Sequence, residues 1–145
     1  MTTSGAVQEI SVASGTRRRT RLHVGLWVAQ GLLAAAFGVA GLTHATRPIA
    51  EMAKMAPWTG ALPEGLVRLI GVVELVGALG LVLPGLTRRR PALAAWAAAG
   101  LATVMALAMV VHIARGEPQV LPVNLVLGGI AAFIAWGRGM KTRRT

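Results

Sequence analysis

Few residues of this chain can do chemistry, and one of them stands in an unexpected place. Glu74 lies in the middle of the apolar run RLIGVVELVGALGLVLPGLTRRR, residues 68–90, although the chain has only five acidic residues and no Asp at all. Arg68 precedes it by six residues, and His44, His112 and Asn124 each stand near the end of another apolar stretch. A carboxyl in such surroundings serves either as a hydrogen-bond anchor between helices or as the group that exchanges a proton with a ligand. Glu74 is therefore the candidate catalytic residue, and Arg68, His112, Asn124 and His44 are the candidates to line a ligand site. Each has a structural reading beside this one: snorkelling for Arg68, wet interfacial positions for the histidines, interhelical glue for Asn124.

Other chemistries lack their residues. There is no GxSxG elbow, phosphate-binding loop, HExxH or paired acidic metal motif. A single central carboxylate does not support a two-carboxylate or two-metal mechanism. With zero cysteines, the chain has no disulfide, thiol nucleophile or dithiol relay of its own. No metal site is expected.

The elements that must position these residues are read from composition. Apolar residues make up 54% of the 145 residues and charged ones only 14%, well outside the average of soluble domains. The excess sits in four stretches, Val24–Thr46, Gly65–Pro84, Ala92–Ala114 and Gln119–Gly137, each close to the roughly 20 residues that cross about 30 Å of hydrocarbon. Their faces are alanine, leucine, valine and glycine all round, where a soluble bundle needs charge. The second stretch can carry Glu74, since its twelve Leu, Ile and Val residues contribute about −4 to −7 kcal/mol on insertion against about +3 for one central charge. The expected fold is an all-α membrane protein with four transmembrane helices in an up-down bundle.

Net charge is +10, yet the basic residues cluster at the ends of the apolar stretches and form no stripe with interleaved aromatics, so nucleic acid is not an expected partner. Arg17, Arg18, Arg19 and Arg21 precede the first span, Arg88–Arg90 join the second to the third, and Arg138, Lys141, Arg143 and Arg144 follow the fourth. By the positive-inside rule both termini are cytoplasmic. The domain boundaries follow: a disordered basic tail over 1–22, the transmembrane domain over 23–138 and a basic tail over 139–145. The basic stretch, apolar run and Thr43-His44-Ala45 imitate a secretion signal, but the run exceeds 20 residues where a signal core has about 7–15, so an uncleaved first span is expected.

Between the first two spans, Ile49, Met52, Ala53 and Ala56 recur at helical spacing until Pro57. A short amphipathic helix in the outer interface is expected there, with Trp58 at headgroup level. On the second span, Gly71, Gly77 and Ala78 share the Glu74 face and let another helix approach. Arg68 points about 120° away from Glu74 on an ideal helix and makes no i,i+4 pair with it. Asn124 shares a face with Gly128, Ala131 and Ala135, and His44 with Gln30, Phe37 and Gly41. In this orientation the polar residues all occupy the outer half and describe a pocket with Glu74 near its floor. Gly31, Ala34, Ala35, Gly38 and Ala45 form a small-residue stripe on the first span that suits bundle packing or a homo-oligomer seam.

Several of these segments together resemble the DoxX-like family of small bacterial membrane proteins over roughly residues 24–138. They are WVAQGLLAAAFGVAGLTHATRPIAEMA, LVRLIGVVELVGALGLVLPGLT, VVHIARGEP and NLVLGGIAAFIAWGR. The most specific element is Arg68-x-x-Gly71-x-x-Glu74-x-x-Gly77-Ala78; His112 with Arg115 and Glu117, and Asn124, match later parts. The first span ends in Thr43-His44 where the pattern leads one to expect Thr-Lys. The resemblance implies a four-helix protein of the bacterial inner membrane. Some relatives are linked to quinone-reducing sulfur oxidation and others to thiol or oxidative-stress complexes. It suggests a quinone as candidate cofactor and a redox protein as partner, alongside the lipid bilayer. Three readings of function stay open: an apolar-ligand subunit supporting a membrane redox complex, a cofactor-free acid/base isomerase or cyclase on a lipophilic substrate, and a non-enzymatic membrane scaffold or assembly factor.

Overall fold

Among the described residues every regular element is helical: α1 (Thr3–Thr46), α2 (Ile49–Met55), α3 (Trp58–Ala61), α4 (Glu64–Leu86), α5 (Ala92–Ala114), a 3-10 turn (Pro118–Val120) and α6 (Leu121–Thr142). This computed structural model describes the backbone over residues 3–87 and 92–142 and the side chains over 20–87 and 92–139. Residues 1–2, 88–91 and 143–145, with Arg88–Arg90, Arg143 and Arg144 of the basic clusters, lie outside them. Four helices are long and apolar enough to cross a membrane, over Thr20–Thr46, Glu64–Leu86, Ala92–Ala114 and Pro118–Gly139. The chain is a multi-pass membrane protein, as its composition requires.

α1 begins at Thr3, so its helix runs back through the stretch whose composition suggests a disordered tail. The first proline of the chain is Pro48, and a helix already nucleated in the span propagates N-terminally at little cost until something breaks it.

The buried positions follow a heptad. On α1 they are Leu26, Gln30, Leu33, Phe37 and Gly41; on α4, Val67, Gly71, Glu74, Ala78 and Leu81; on α5, Ala94, Ala98, Leu101 and Met105. Steps of three and four place one narrow seam of each helix against its neighbours, two positions in seven. Between 22 and 33% of each span is buried accordingly. The remaining faces carry Val, Leu and Ile toward the lipid. α1 packs on α4, α4 on α5, α5 on α6 and α6 back on α1, which closes the bundle.

One end of the bundle is locked by a buried amide. Gln30, 1% exposed, donates from Nε2 to the Leu81 carbonyl, and its Oε1 accepts from Arg138 Nε at 2.7 Å and from Arg138 Nη2. The guanidinium lies 5.2 Å from the centre of the Trp27 ring. A single side chain thus ties α1 to α4 and α6, with its polar atoms satisfied where no water is at hand.

Nearer the other end, α1 and α4 touch backbone to backbone. A Cβ on Gly71 would stand 2.6 Å from Ala45 N, and one on Gly41 would stand 2.7 Å from Gly71 O. Neither neighbour is a movable side-chain tip, so the contact demands glycine on both helices. Gly41→Val and Gly71→Val should each lower stability by about 1–3 kcal/mol or more through overpacking. Gly100→Ala, at a position with nothing within 4 Å, should be neutral; thermal unfolding in detergent measures all three.

Candidate functional site

The glycine contact decides where the acid of α4 lands. Gly71 precedes Glu74 by one turn and Gly41 precedes His44 by one turn, so the closest approach of the two backbones brings these side chains face to face. His44 Nδ1 lies 2.7 Å from Glu74 Oε2, and Glu74 is only 4% exposed. The imidazole tautomer decides which of the two atoms donates in that bond, and in either case the two side chains satisfy each other.

His44 is also held through its backbone. The fourth residue after it is Pro48, which has no N–H to donate, so the helix cannot satisfy the His44 carbonyl. Arg68 does so from α4: its Nη1 donates to His44 O at 2.9 Å and to Arg47 O at 2.6 Å, while Nη2 donates to Glu64 at 2.9 Å. The guanidinium is engaged in ending α1, and Arg68 makes no pair with Glu74.

A second histidine–carboxylate pair forms at the end of α5. Gly116 has φ 68°, Gly116 N–H donates to Ile113 O and Glu117 N–H to His112 O, the pair of hydrogen bonds that closes a helix on a left-handed glycine. The closure folds Glu117 back onto its own helix. His112 Nδ1 then meets Glu117 Oε2 at 2.7 Å, and Arg115 Nε donates to the other carboxyl oxygen at 2.9 Å. Trp58 stands edge-on to both imidazoles, its ring centre 5.1 Å from that of His44 and 6.3 Å from that of His112. Instead of facing outward as an interfacial anchor, the indole turns inward, because the α2–α3 strap folds across this end of the bundle.

His44, Glu74, His112 and Trp58 line one chamber of about 480 Å³. Its walls come from the C-terminal halves of α1 and α5 and the N-terminal halves of α4 and α6, as antiparallel neighbours require, with Trp58 from α3. They are mostly aliphatic, with Phe37, Ile70, Val104 and Met105 among them. The polar exceptions are Glu74, His44, His112 and Asn124. Asn124 is 7% exposed, and its Nδ2 is the one buried side-chain nitrogen or oxygen among the described residues with no hydrogen-bond partner. A buried amide donor without a partner costs about 1–3 kcal/mol unless something accepts from it.

Four of the five residues singled out in the sequence, His44, Glu74, His112 and Asn124, thus share the chamber. Arg68 stands beside it and acts on the α1 backbone. Sequence reasoning did not place Trp58 in the chamber or anticipate that Gln30 and Arg138 meet; a lone amide inside a span was the available signal for the second. Groups of three or more metal-ligating side chains are absent among the described residues.

Fold and chamber together define a small multi-pass membrane protein: a four-helix bundle with a polar-tipped cavity at one end. The sequence profile of the DoxX-like family matches residues 28–134, most of the chain, and the protein belongs to that family. Comparisons with curated proteins and with solved structures give no match.

Glu117 lies between the spans, and its pKa is held below the ordinary 4.5, first by the hydrogen bond from Arg115 and then by that from His112. A carboxyl whose folded pKa is depressed stabilises the fold above its unfolded value, and that contribution is lost as pH falls through the lower, folded one. The Glu117 carboxyl resonance should therefore titrate below 4.5, and Arg115→Gln should move its midpoint upward. Arg68→Leu, which strands the His44 and Arg47 carbonyls, should destabilise the protein on the order of 1–3 kcal/mol, read as a lower unfolding midpoint.

Proposed function

We propose that the chain binds a lipophilic molecule with a carbonyl-bearing head in this chamber, a quinone being the candidate, and that it supports a membrane redox complex. One observation carries the reading: Asn124, whose amide donor has no partner, and the His44–Glu74 pair line the same apolar cavity. A volume of about 480 Å³ falls within the roughly 300–1,000 Å³ typical of small-molecule sites, where apolar walls and a few polar groups fix orientation. The donor set fits a quinone. Asn124 Nδ2 supplies a hydrogen bond to a head-group carbonyl, and His44 with Glu74 holds a proton beside it. A bound quinone would supply two-electron redox chemistry that a chain without cysteine lacks. Trp58 and His112 cover the end of the cavity and limit water entry there.

The same His44–Glu74 pair also supports a second reading, acid/base isomerisation or cyclisation of a lipophilic substrate without a redox cofactor, since a proton donor in an apolar cavity suffices for that chemistry. Product formation by the purified chain with no electron donor would select it.

Titration of the purified protein with a short-chain methoxybenzoquinone tests the leading reading. Asn124→Leu should weaken binding about tenfold, the worth of one buried hydrogen bond, and Glu74→Gln should weaken it while the fold is retained. Wild-type affinity in both variants would remove the chamber from the function.

A further inference from the structure

The chamber is not sealed all round. Among the described residues, every large apolar side chain that both lines it and stands exposed on the bundle belongs to α4 or α5: Leu66, Leu69 and Val73 on one, Leu107 and Val111 on the other. Leu69 is 57% and Leu107 62% exposed. Their spacings of three and four put each set on one stripe of its helix, so the two stripes form facing rims. Leu66 to Val73 covers about 10 Å along the axis.

The same two helices are in tight contact in the other half of the bundle. A Cβ on Gly77 would stand 2.6 Å from Leu101, and one on Gly80 would stand 2.8 Å from Ala97. α4 and α5 therefore pack closely from Gly77 toward Leu86, while the stretch from Glu74 toward Glu64 carries the exposed side chains that line the chamber. The slit opens within two membrane-spanning helices, so it faces acyl chains, not water. At the bundle end, by contrast, Trp58 and the two imidazoles lie across the chamber, and Arg68 ties the end of α1 to α4.

We infer that the gap between α4 and α5 is a lateral portal for a bilayer-dissolved molecule with a hydrogen-bond-accepting head and a long apolar tail. The inference rests on the head-group reading given above and adds the route and the shape of the ligand. The head reaches Asn124, His44 and Glu74. The tail lies in the slit between Val73 and Leu107, whose exposed side chains line the chamber, and continues into the bilayer. Binding through the portal requires no exposure of the buried carboxylate to water.

The absence of native cysteine makes the test clean. Val73→Cys with Leu107→Cys is bridged across the slit by a reversible bis-methanethiosulfonate reagent in purified protein. Equilibrium affinity is then measured for a tail-less methoxybenzoquinone and for the same ring bearing a decyl chain. The portal predicts that the bridge weakens the tailed ligand at least about tenfold, spares the tail-less one, and is reversed by reductant. Leu69→Trp, on the same rim, should give that pattern without a bridge, which guards against a cysteine variant that does not fold. Equal affinities for the tailed ligand with and without the bridge, or equal losses for both ligands, would overturn the portal. Failure of the unbridged protein to bind even the tail-less ring is a distinct result; it removes the head-group reading, and the portal with it.

Discussion

A carboxyl group inside a membrane span needs a polar partner at contact distance, because neither acyl chains nor leucine side chains can solvate it. In this protein that requirement is met by His44 on Glu74, and the bond exists only because α1 and α4 approach to backbone contact at Gly41 and Gly71. A methyl group at either glycine would push the helices apart. The imidazole and the carboxyl would then lose each other in a medium that offers no substitute.

Polar groups elsewhere in the bundle obey the same constraint, each by a local device. Pro48 leaves the His44 carbonyl without its helical donor, and Arg68 supplies one from the next span. Gly116 reverses the chain after α5, so that Glu117 returns onto His112. At the opposite end Gln30 joins three helices through Leu81 and Arg138. Asn124 is the exception: the residue lines the cavity, and its buried Nδ2 has no acceptor among the described residues. Among these paired groups it is the one buried side-chain nitrogen or oxygen of the described residues that the fold leaves without a partner.

Much of the fold was legible in the sequence because a membrane span is a long-range compositional signal. Runs of Leu, Val and Ala of the right length show themselves without knowledge of contacts, and the small residues beside Glu74 show which face meets another helix. The gathering of His44, Glu74, His112 and Asn124 into one half of the bundle followed from their depth alone. Pairings were harder to read. That His44 is the partner of Glu74 depends on the rotation of α1 about its axis, which Gly41 and Gly71 settle only when seen together. The inward turn of Trp58 depends on how the α2–α3 strap closes, and isolated tryptophans near a span end are equally at home facing headgroups. The role of Arg68 was hidden because its targets are backbone carbonyls, which carry no sequence signature. The helical course of the first residues was missed for another reason: composition reports the lack of a core, whereas helix propagation from a neighbouring span needs none.

The coupling between His44 and Glu74 underlies the whole site, and a double-mutant cycle measures it directly. Unfolding free energies in detergent are compared for the wild type, His44→Leu, Glu74→Leu and the double variant. Each single replacement strands one buried polar group, whereas the double replacement removes both. The account predicts that the double variant is more stable than the sum of the single losses implies, with a coupling of at least about 1 kcal/mol. Losses that add to within about 0.5 kcal/mol would show that the two side chains do not depend on each other, and would contradict it.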